Sequence, residues 1–364
     1  MHEDDLVQQD SSGGIDRGTL LRTMALGGGA LSIPALLSAC GGSSKGSSSG
    51  GSGGGPFATH PKWKFVFVNH ATTNAFFVPT QYGAADACSL LGVSYQWTGS
   101  PSSDVGTMVN DMSAAVSGKA DGIAVAIIDP HAFNAPVASA LAAGIPVVSY
   151  NADAPANAGN TRMAYIGQDL FQSGVQMGNR IVEEVGSGDV VIFIITPGSL
   201  NLQPRVDGAI SAIKASGKPI NVTQSATSTD PTQELSIIDA YYLGHKSVKG
   251  MYGSGGTTTQ SIGTVIKKYN LKGKVQGGGY DLIPQTLQYI DQGLLNFTID
   301  QQPYLQGFYP VMQLFLYKLS GGLMFPSETN TGLLFVTKDN VKPYLTTKTR
   351  WEGSSTAQKY PITA

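Results

Sequence analysis

From Pro61 onward, short apolar runs alternate with longer mixed segments. The runs at 64–69, 93–97, 122–128, 146–150, 189–195, 220–224, 250–253, 274–278 and 297–300 predict strands. The segments at 79–91, 104–117, 133–143, 168–185, 204–216, 232–243, 259–269 and 284–292 predict helices. The run at 122–128 is continuously apolar, as in a strand covered on both faces. Gly144, just past the third helix, suits a C-terminal cap. Strands alternating with helices of about 10–15 residues build parallel sheets with helices on both faces. Two such series of similar length predict an α/β protein of two doubly wound lobes. Ligands of such sheets bind outside the carboxyl ends of the strands. The residues to inspect are therefore Asn69 with the residues directly after it, Asp129, Asn151, Thr196, 253–257, Asp281 and Gln301. Nearly all are uncharged and polar or singly acidic, a lining suited to a neutral, hydroxyl-rich ligand.

The N-terminal region has a different character. Arg17 and Arg22 lead into an apolar stretch at 24–37 that ends at Leu36-Leu37-Ser38-Ala39-Cys40, and the chain then turns to Gly and Ser through Gly55. The stretch is too short for a membrane span, which needs about 20 apolar residues. It reads as an export signal. A cysteine at the cut resembles the lipobox of bacterial lipoproteins, in which Cys40 would be acylated and become the new N-terminus. The bland alternative is a chance cysteine after a signal core. The domains predicted are thus a signal at 1–40, a linker at 41–56 and two lobes beyond. Acyl chains contribute about 0.8 kcal/mol per buried methylene, enough in combination to hold a membrane anchor. The Gly/Ser linker would act as a leash of about 20 Å. The segment Asp16-Arg17-Gly18-Thr19-Leu20-Leu21-Arg22 resembles a twin-arginine signal with Gly18 in place of the second arginine. General and twin-arginine export both stay open.

Composition narrows the function classes. The formal net charge of −2 argues against nucleic acid and against a basic membrane-binding patch. With Cys40 acylated, Cys88 is the remaining thiol and no intrachain disulfide is available; its apolar helical setting predicts a small buried residue. The five histidines are scattered without metal-site spacing, so no metal is expected. The segments 253–257 and 277–279 lack phosphate-cradle and dinucleotide patterns and read as strand-end turns where glycine gives the backbone freedom. No nucleophile elbow and no spaced pair of acids appears. The chain is read as a binding protein with no cofactor, not an enzyme.

Four stretches then resemble one family. They are Asn74-Ala75-Phe76-Phe77; Ala120-Asp121-Gly122-Ile123 with Ala143-Gly144-Ile145-Pro146-Val147-Val148; Gln203-Pro204-Arg205-Val206-Asp207-Gly208; and Tyr280-Asp281 with Asp300-Gln301-Gln302-Pro303-Tyr304-Leu305-Gln306-Gly307. In this order they resemble the type I periplasmic solute-binding proteins of the ribose/galactose-binding kind, which serve ATP-driven sugar importers. The resemblance implies two Rossmann-like lobes joined by a three-stranded hinge, with ligand clamped between them. The first lobe would hold roughly 57–167 and 302–333, the second roughly 168–301 and 334–364.

A sugar has an apolar C–H face and a hydroxyl rim. Phe76 and Phe77 would cover the face. Asn74, Asn151, Asp281 and Gln301 would exchange hydrogen bonds with hydroxyls, and Arg205 would donate to two oxygens. Each has a bland alternative: Phe76 and Phe77 as core, Asp281 as a cap of the next helix, Arg205 in a surface ion pair. Where the pentose binders carry Asp-Arg after the fourth strand, this chain has Asn151-Ala152, with Asp153 as a partial substitute. Thr227-Ser228-Thr229-Asp230 replaces a usual aromatic, and Gly255-Gly256 a usual Asn-Asp. These departures point away from ribose towards another monosaccharide or a polyol, with Thr257 or Thr258 as a second-lobe contact. The implied protein is a monomeric, extracytoplasmic, lipid-anchored receptor for an ABC permease. The alternative is a receptor presenting sugar or autoinducer to a membrane sensor kinase. Sugar-responsive repressors share the fold, but here a signal and linker occupy the place of their DNA-binding helices.

Overall fold

The computed structural model describes residues 57–357 except 325, 347 and 354. The expected strands and helices form, with ends displaced by a few residues. The first series is β1 (Lys64–Asn69), α1 (Val78–Leu91), β2 (Ser94–Gly99), α2 (Val105–Ser117), β3 (Gly122–Val125), α3 (Asn134–Ala142), β4 (Val147–Tyr150) and β5 (Ala164–Gly167). The second is α4 (Leu170–Val185), β6 (Gly188–Ile194), α5 (Gln203–Ala215), β7 (Ile220–Ala226), α6 (Pro231–Gly244), β8 (Gly250–Gly253), α7 (Gly256–Lys268), β9 (Gln276–Tyr280), α8 (Pro284–Asp291) and β10 (Phe297–Asp300). The chain closes with α9 (Leu305–Leu319), β11 (Glu328–Asn330), β12 (Leu334–Thr337) and α10 (Lys342–Thr346). The apolar pattern did not reveal β5 or the last four elements.

Each lobe is a six-stranded sheet, in the order β11-β5-β4-β3-β1-β2 and β12-β10-β9-β8-β6-β7. The first is parallel throughout; in the second, β12 alone runs antiparallel, against β10. The α/β fold of two doubly wound lobes is therefore as expected. Both sheet faces are buried. Along β6, Val190, Ile192 and Ile194 enter one apolar cluster while Val191 and Phe193 enter another on the opposite side. That is why its run reads as continuous rather than alternating.

The chain passes between the sheets after β5, after β10 and between β11 and β12. A further return comes after α10. Residues 349–353 leave the second lobe, to which the tail from 334 was assigned by sequence, and lie on α1 of the first. Arg350 Nη1 pairs with Asp86 at 3.0 Å, its guanidinium sits 4.7 Å from the Tyr82 ring centre, and Gly353 packs on Pro79. These partners are remote in sequence, so no local pattern announces them.

The glycines of β9 correct one expectation. Gly277, Gly278 and Gly279 lie within a buried strand, not a turn, and their φ angles are not positive. Glycine is needed there for space: a Cβ on Gly279 would stand 2.2 Å from Thr259 Oγ1, and one on Gly278 would stand 2.8 Å from the Phe297 ring. Gly256 likewise opens α7 where a Cβ would meet Asp281 Oδ2 at 3.0 Å. Cys88 is buried in α1 as expected, and burial pushes its thiol up to about 12.

α4 and α5 cross closely because Gly174 leaves room for the backbone of Arg205; a Cβ there would lie 2.2 Å from the Arg205 carbonyl oxygen. Gly174→Ala should force the helices apart and lower the unfolding free energy by about 1–3 kcal/mol, the usual range for overpacking. Urea unfolding of the variant against wild type measures this.

Candidate functional site

The carboxyl ends of both sheets face a cleft of about 420 Å³, within the usual range of about 300–1,000 Å³ for small-molecule sites. Its lining includes Asn74, Phe76, Phe77, Asn151, Arg205, Thr257, Asp281 and Gln301. Of the residues that the family resemblance singled out, all but Asp153 and Thr258 are thus brought together, whereas the strand-end residues Asn69 and Asp129 do not line the cleft.

From the first lobe, Asn74 Oδ1 accepts the Phe76 N–H at 3.0 Å and starts the short 3₁₀ turn Ala75–Phe77. That cap sets both aromatic rings. Phe77 is only 1% exposed and packs into the core edge-on to Phe76, ring centres 4.7 Å apart. Phe76 is half-buried and presents the larger aromatic surface to the cleft. Asn151 comes directly after β4 with φ of 64°, a left-handed conformation that asparagine tolerates better than most residues. Its Oδ1 is bonded to His70 Nε2 and its Nδ2 donates to Gln306 Oε1, both at 3.0 Å.

From the second lobe, Arg205 is 3% exposed, which excludes a surface ion pair. Its Nη1 donates to the Ser254 carbonyl at 2.9 Å, its guanidinium lies 4.2 Å from the Tyr280 ring centre, and its buried Nε has no hydrogen-bond partner among the described residues. Asp281 comes directly after β9 at φ 77° and accepts from Gln301 Nε2 at 2.7 Å. It also accepts the N–H of Gly256, so it caps α7 rather than α8, the next helix along the chain. Burial raises the Asp281 pKa, and the Arg205 charge and the Gln301 hydrogen bond oppose the rise. Thr257 lines the cleft but bonds to buried Glu234, which also accepts from Thr227 and Thr258.

Asp153 is elsewhere. Arg162 takes it in a two-pronged ion pair, with Nε donating to Oδ1 at 2.8 Å, and Ser149 Oγ donates to the same oxygen at 2.6 Å. It borders a separate pocket with Tyr165 and Gln168. Asn69, another strand-end residue, is fully buried: Nδ2 donates to Tyr150 Oη at 2.7 Å and Oδ1 accepts the Ala71 N–H at 2.7 Å. A larger, mostly apolar cavity of about 600 Å³ is lined by Asp300 and Gln302 together with Tyr344 and Trp351. Gln301, between those two, faces the cleft instead.

His70 is among the residues after Asn69 that the sequence marked for inspection, but no role was read for it there. It sits immediately after the strand-ending Asn69 and lines the cleft, 6% exposed, with Nδ1 buried and unpartnered. Its position one residue past the first strand was the available signal. Ser199, Asn201, Ser102 and Ser103 add further polar lining.

A family model described as the periplasmic binding protein domain matches residues 65–321. The chain belongs to that family. It is 48% identical over 318 residues to the xylose/arabinose-binding protein XylF of Sulfolobus acidocaldarius, covering 84% of this chain and 78% of that one. It is 24% identical over 247 residues to the D-allose-binding periplasmic protein of Escherichia coli, covering 66% and 79%. Among solved structures, an ABC transporter solute-binding protein from Burkholderia graminis in complex with D-arabinose superposes with a TM-score of 0.72 at 25% identity. That match covers 78% of this chain and 98% of the other. The family resemblance read from sequence therefore holds, and a periplasmic binding protein is a receptor, not an enzyme, that works outside the cytoplasmic membrane. No helix among the described residues is long and apolar enough to cross a membrane. The expected signal, Cys40 and the linker lie outside the described residues.

Burial lowers the His70 pKa from 6.5 to about 4; its bond to Asn151 works in the opposite direction and the Arg205 charge adds to the lowering. A depressed folded pKa means that neutral His70 contributes stability above pH 6.5, and that this is lost as the pH falls towards 4. Asp281 and Asp300, whose pKa values are raised, give a slope of the opposite sign. The wild type should therefore lose up to about 3 kcal/mol relative to His70→Asn between pH 6.5 and 4. Urea unfolding of both proteins across that range gives the difference directly.

Proposed function

We propose that this chain is an extracytoplasmic receptor of an ABC importer that captures a neutral monosaccharide, a pentose of the xylose or arabinose type, and delivers it to a permease. The supporting observation is the composition of the cleft: a half-buried aromatic face from one lobe opposite a buried Arg205–Asp281–Gln301 group from the other. An apolar C–H face meets Phe76, and hydroxyls meet a carboxylate, amides and a guanidinium whose Nε lacks a protein partner. The 48% identical relative, a xylose/arabinose-binding protein, supports the pentose assignment. One cation and one carboxylate at the cleft balance each other, which favours a neutral ligand over an anion.

The closing bodies in this reading are 57–167 with 302–333 and 168–301 with the tail, the return of 349–353 to the first lobe excepted. Ligand favours the closed form only by touching both. Phe76 and Asn74 from one side, with Arg205 and Asp281 from the other, supply that contact. The receptor is monomeric and is held at the membrane through acylated Cys40.

D-Xylose or L-arabinose should raise the melting temperature, and amino acids should not. Asp281→Ala removes the carboxylate that would accept from a sugar hydroxyl and leaves that hydroxyl unpaired in the complex, which should weaken binding by about 2–3 kcal/mol, roughly 30- to 150-fold. Phe76→Ala should weaken it at least about tenfold. Isothermal titration calorimetry of the wild type and both variants tests this. Wild-type affinity in both variants would place the ligand elsewhere.

A further inference from the structure

The hydrogen bonds behind the cleft have a direction, and it can be traced from a group with no ambiguity. The Gln301 carbonyl oxygen only accepts. Gln306 approaches it at 3.0 Å with the amide end that must therefore be Nε2, and Thr331 Oγ1 donates to the same oxygen at 2.9 Å. Gln306 Oε1 is then the end that meets Asn151 at 3.0 Å, so Asn151 presents Nδ2 to it. Asn151 Oδ1 is left to face His70 Nε2, also at 3.0 Å. An amide oxygen only accepts, so Nε2 carries the hydrogen. Neutral imidazole has one N–H, and Nδ1 is left as a bare lone pair.

Nδ1 has no hydrogen-bond partner among the described residues, is buried, and belongs to a residue that lines the cleft. The His70 carbonyl oxygen offers no alternative use for a hydrogen on Nδ1, since it already accepts from Ser103 N at 2.9 Å and Ser103 Oγ at 3.1 Å. Arg205 and Asp281 are the charged side chains lining the same cleft, and Phe77 packs edge-on against the imidazole. Among the uncharged polar side chains of the cleft, which donate or both donate and accept, His70 Nδ1 is an acceptor only, as the Asp281 carboxylate is among the charged ones.

We propose that His70 is a specificity-determining residue whose Nδ1 accepts a hydrogen bond from one hydroxyl of the bound sugar. Gln306 and Asn151 are positioning residues that hold the required tautomer. This rests on the sugar-receptor reading and adds to it a requirement on the ligand: at one ring position the substituent must donate. A deoxy sugar fails there, and so does a fluoro sugar, because fluorine accepts weakly and cannot donate. An unpaired buried acceptor in the complex makes that discrimination strong.

The test uses the full chain, the parent pentose that binds most tightly, and its monofluoro analogues at each hydroxyl position, titrated by calorimetry into wild type and His70→Phe. At one position the fluoro analogue should bind wild type at least about 30-fold more weakly than the parent. In His70→Phe that ratio should fall to within about threefold, while ratios at other positions stay unchanged. Fluoro penalties that are the same in both proteins at every position overturn the inference and leave the receptor reading intact. Failure of every monosaccharide to bind wild type overturns the receptor reading and the inference with it. Because His70→Phe disturbs a buried position, imidazole ¹⁵N spectra of the wild type at neutral pH provide a second measurement. Protonated Nε2 with bare Nδ1 is expected, and protonated Nδ1 overturns the assignment. Gln306→Leu should mix the two tautomers if the chain of bonds sets them; an unchanged spectrum removes the positioning role.

Discussion

The segment from Asp300 to Gln306 must satisfy buried amides on a strand of chain that passes from one sheet to the other. A passage of this kind has no ladder to pair its backbone, so side chains do the work. Gln306 Nε2 and Thr331 Oγ1 take the Gln301 carbonyl, while the Gln301 side chain holds Asp281. Gln306 also orders Asn151, and Asn151 orders His70. Cleft-facing groups of both lobes are therefore aligned by buried amides at and beside the crossover. A buried polar network of this kind is costly when incomplete and specific when complete.

The cleft combines two kinds of rigidity. On the first lobe, an asparagine cap and edge-on aromatic packing fix the Phe76 ring without using its exposed face. On the second, Arg205 is held against Tyr280 and the Ser254 carbonyl and retains a buried, unpartnered Nε. Asp281 and Asn151 adopt left-handed backbone conformations at the strand exits, which turn their side chains out of the sheet direction. Strained dihedrals at such places are consistent with a site shaped in advance for its ligand.

The back of the hinge is organised differently. The tail crosses to α1, where Arg350 engages Asp86 and Tyr82, and Tyr304 Oη donates to Asp86 at 2.8 Å. Asp300 and Gln302 line the apolar cavity on that side, and burial pushes the Asp300 carboxyl up to about 6. Asp300 and Gln302 thus serve the opposite surface from Gln301, which lies between them and lines the cleft. Polar side chains are concentrated on one surface and apolar packing on the other.

Sequence alone determined the order of strands and helices from β1 to β10, β5 excepted, because burial on both sheet faces leaves continuous apolar runs that local reading detects. It also placed Asn151, Asp281 and Gln301, since polar residues ending such runs stand at the ligand side of a parallel sheet. The quoted motifs added Asn74, Phe76 and Arg205. Tertiary structure decided the rest. Phe77 turned inward to the core, Arg162 drew Asp153 out of the cleft, and the glycines of β9 proved to make room for Thr259 and Phe297 rather than a turn. The tautomer of His70 depends on Gln306, which reaches Asn151 from 155 positions along the chain. Periodicity records which face a residue occupies, and it carries no trace of partners that only folding brings within 3 Å.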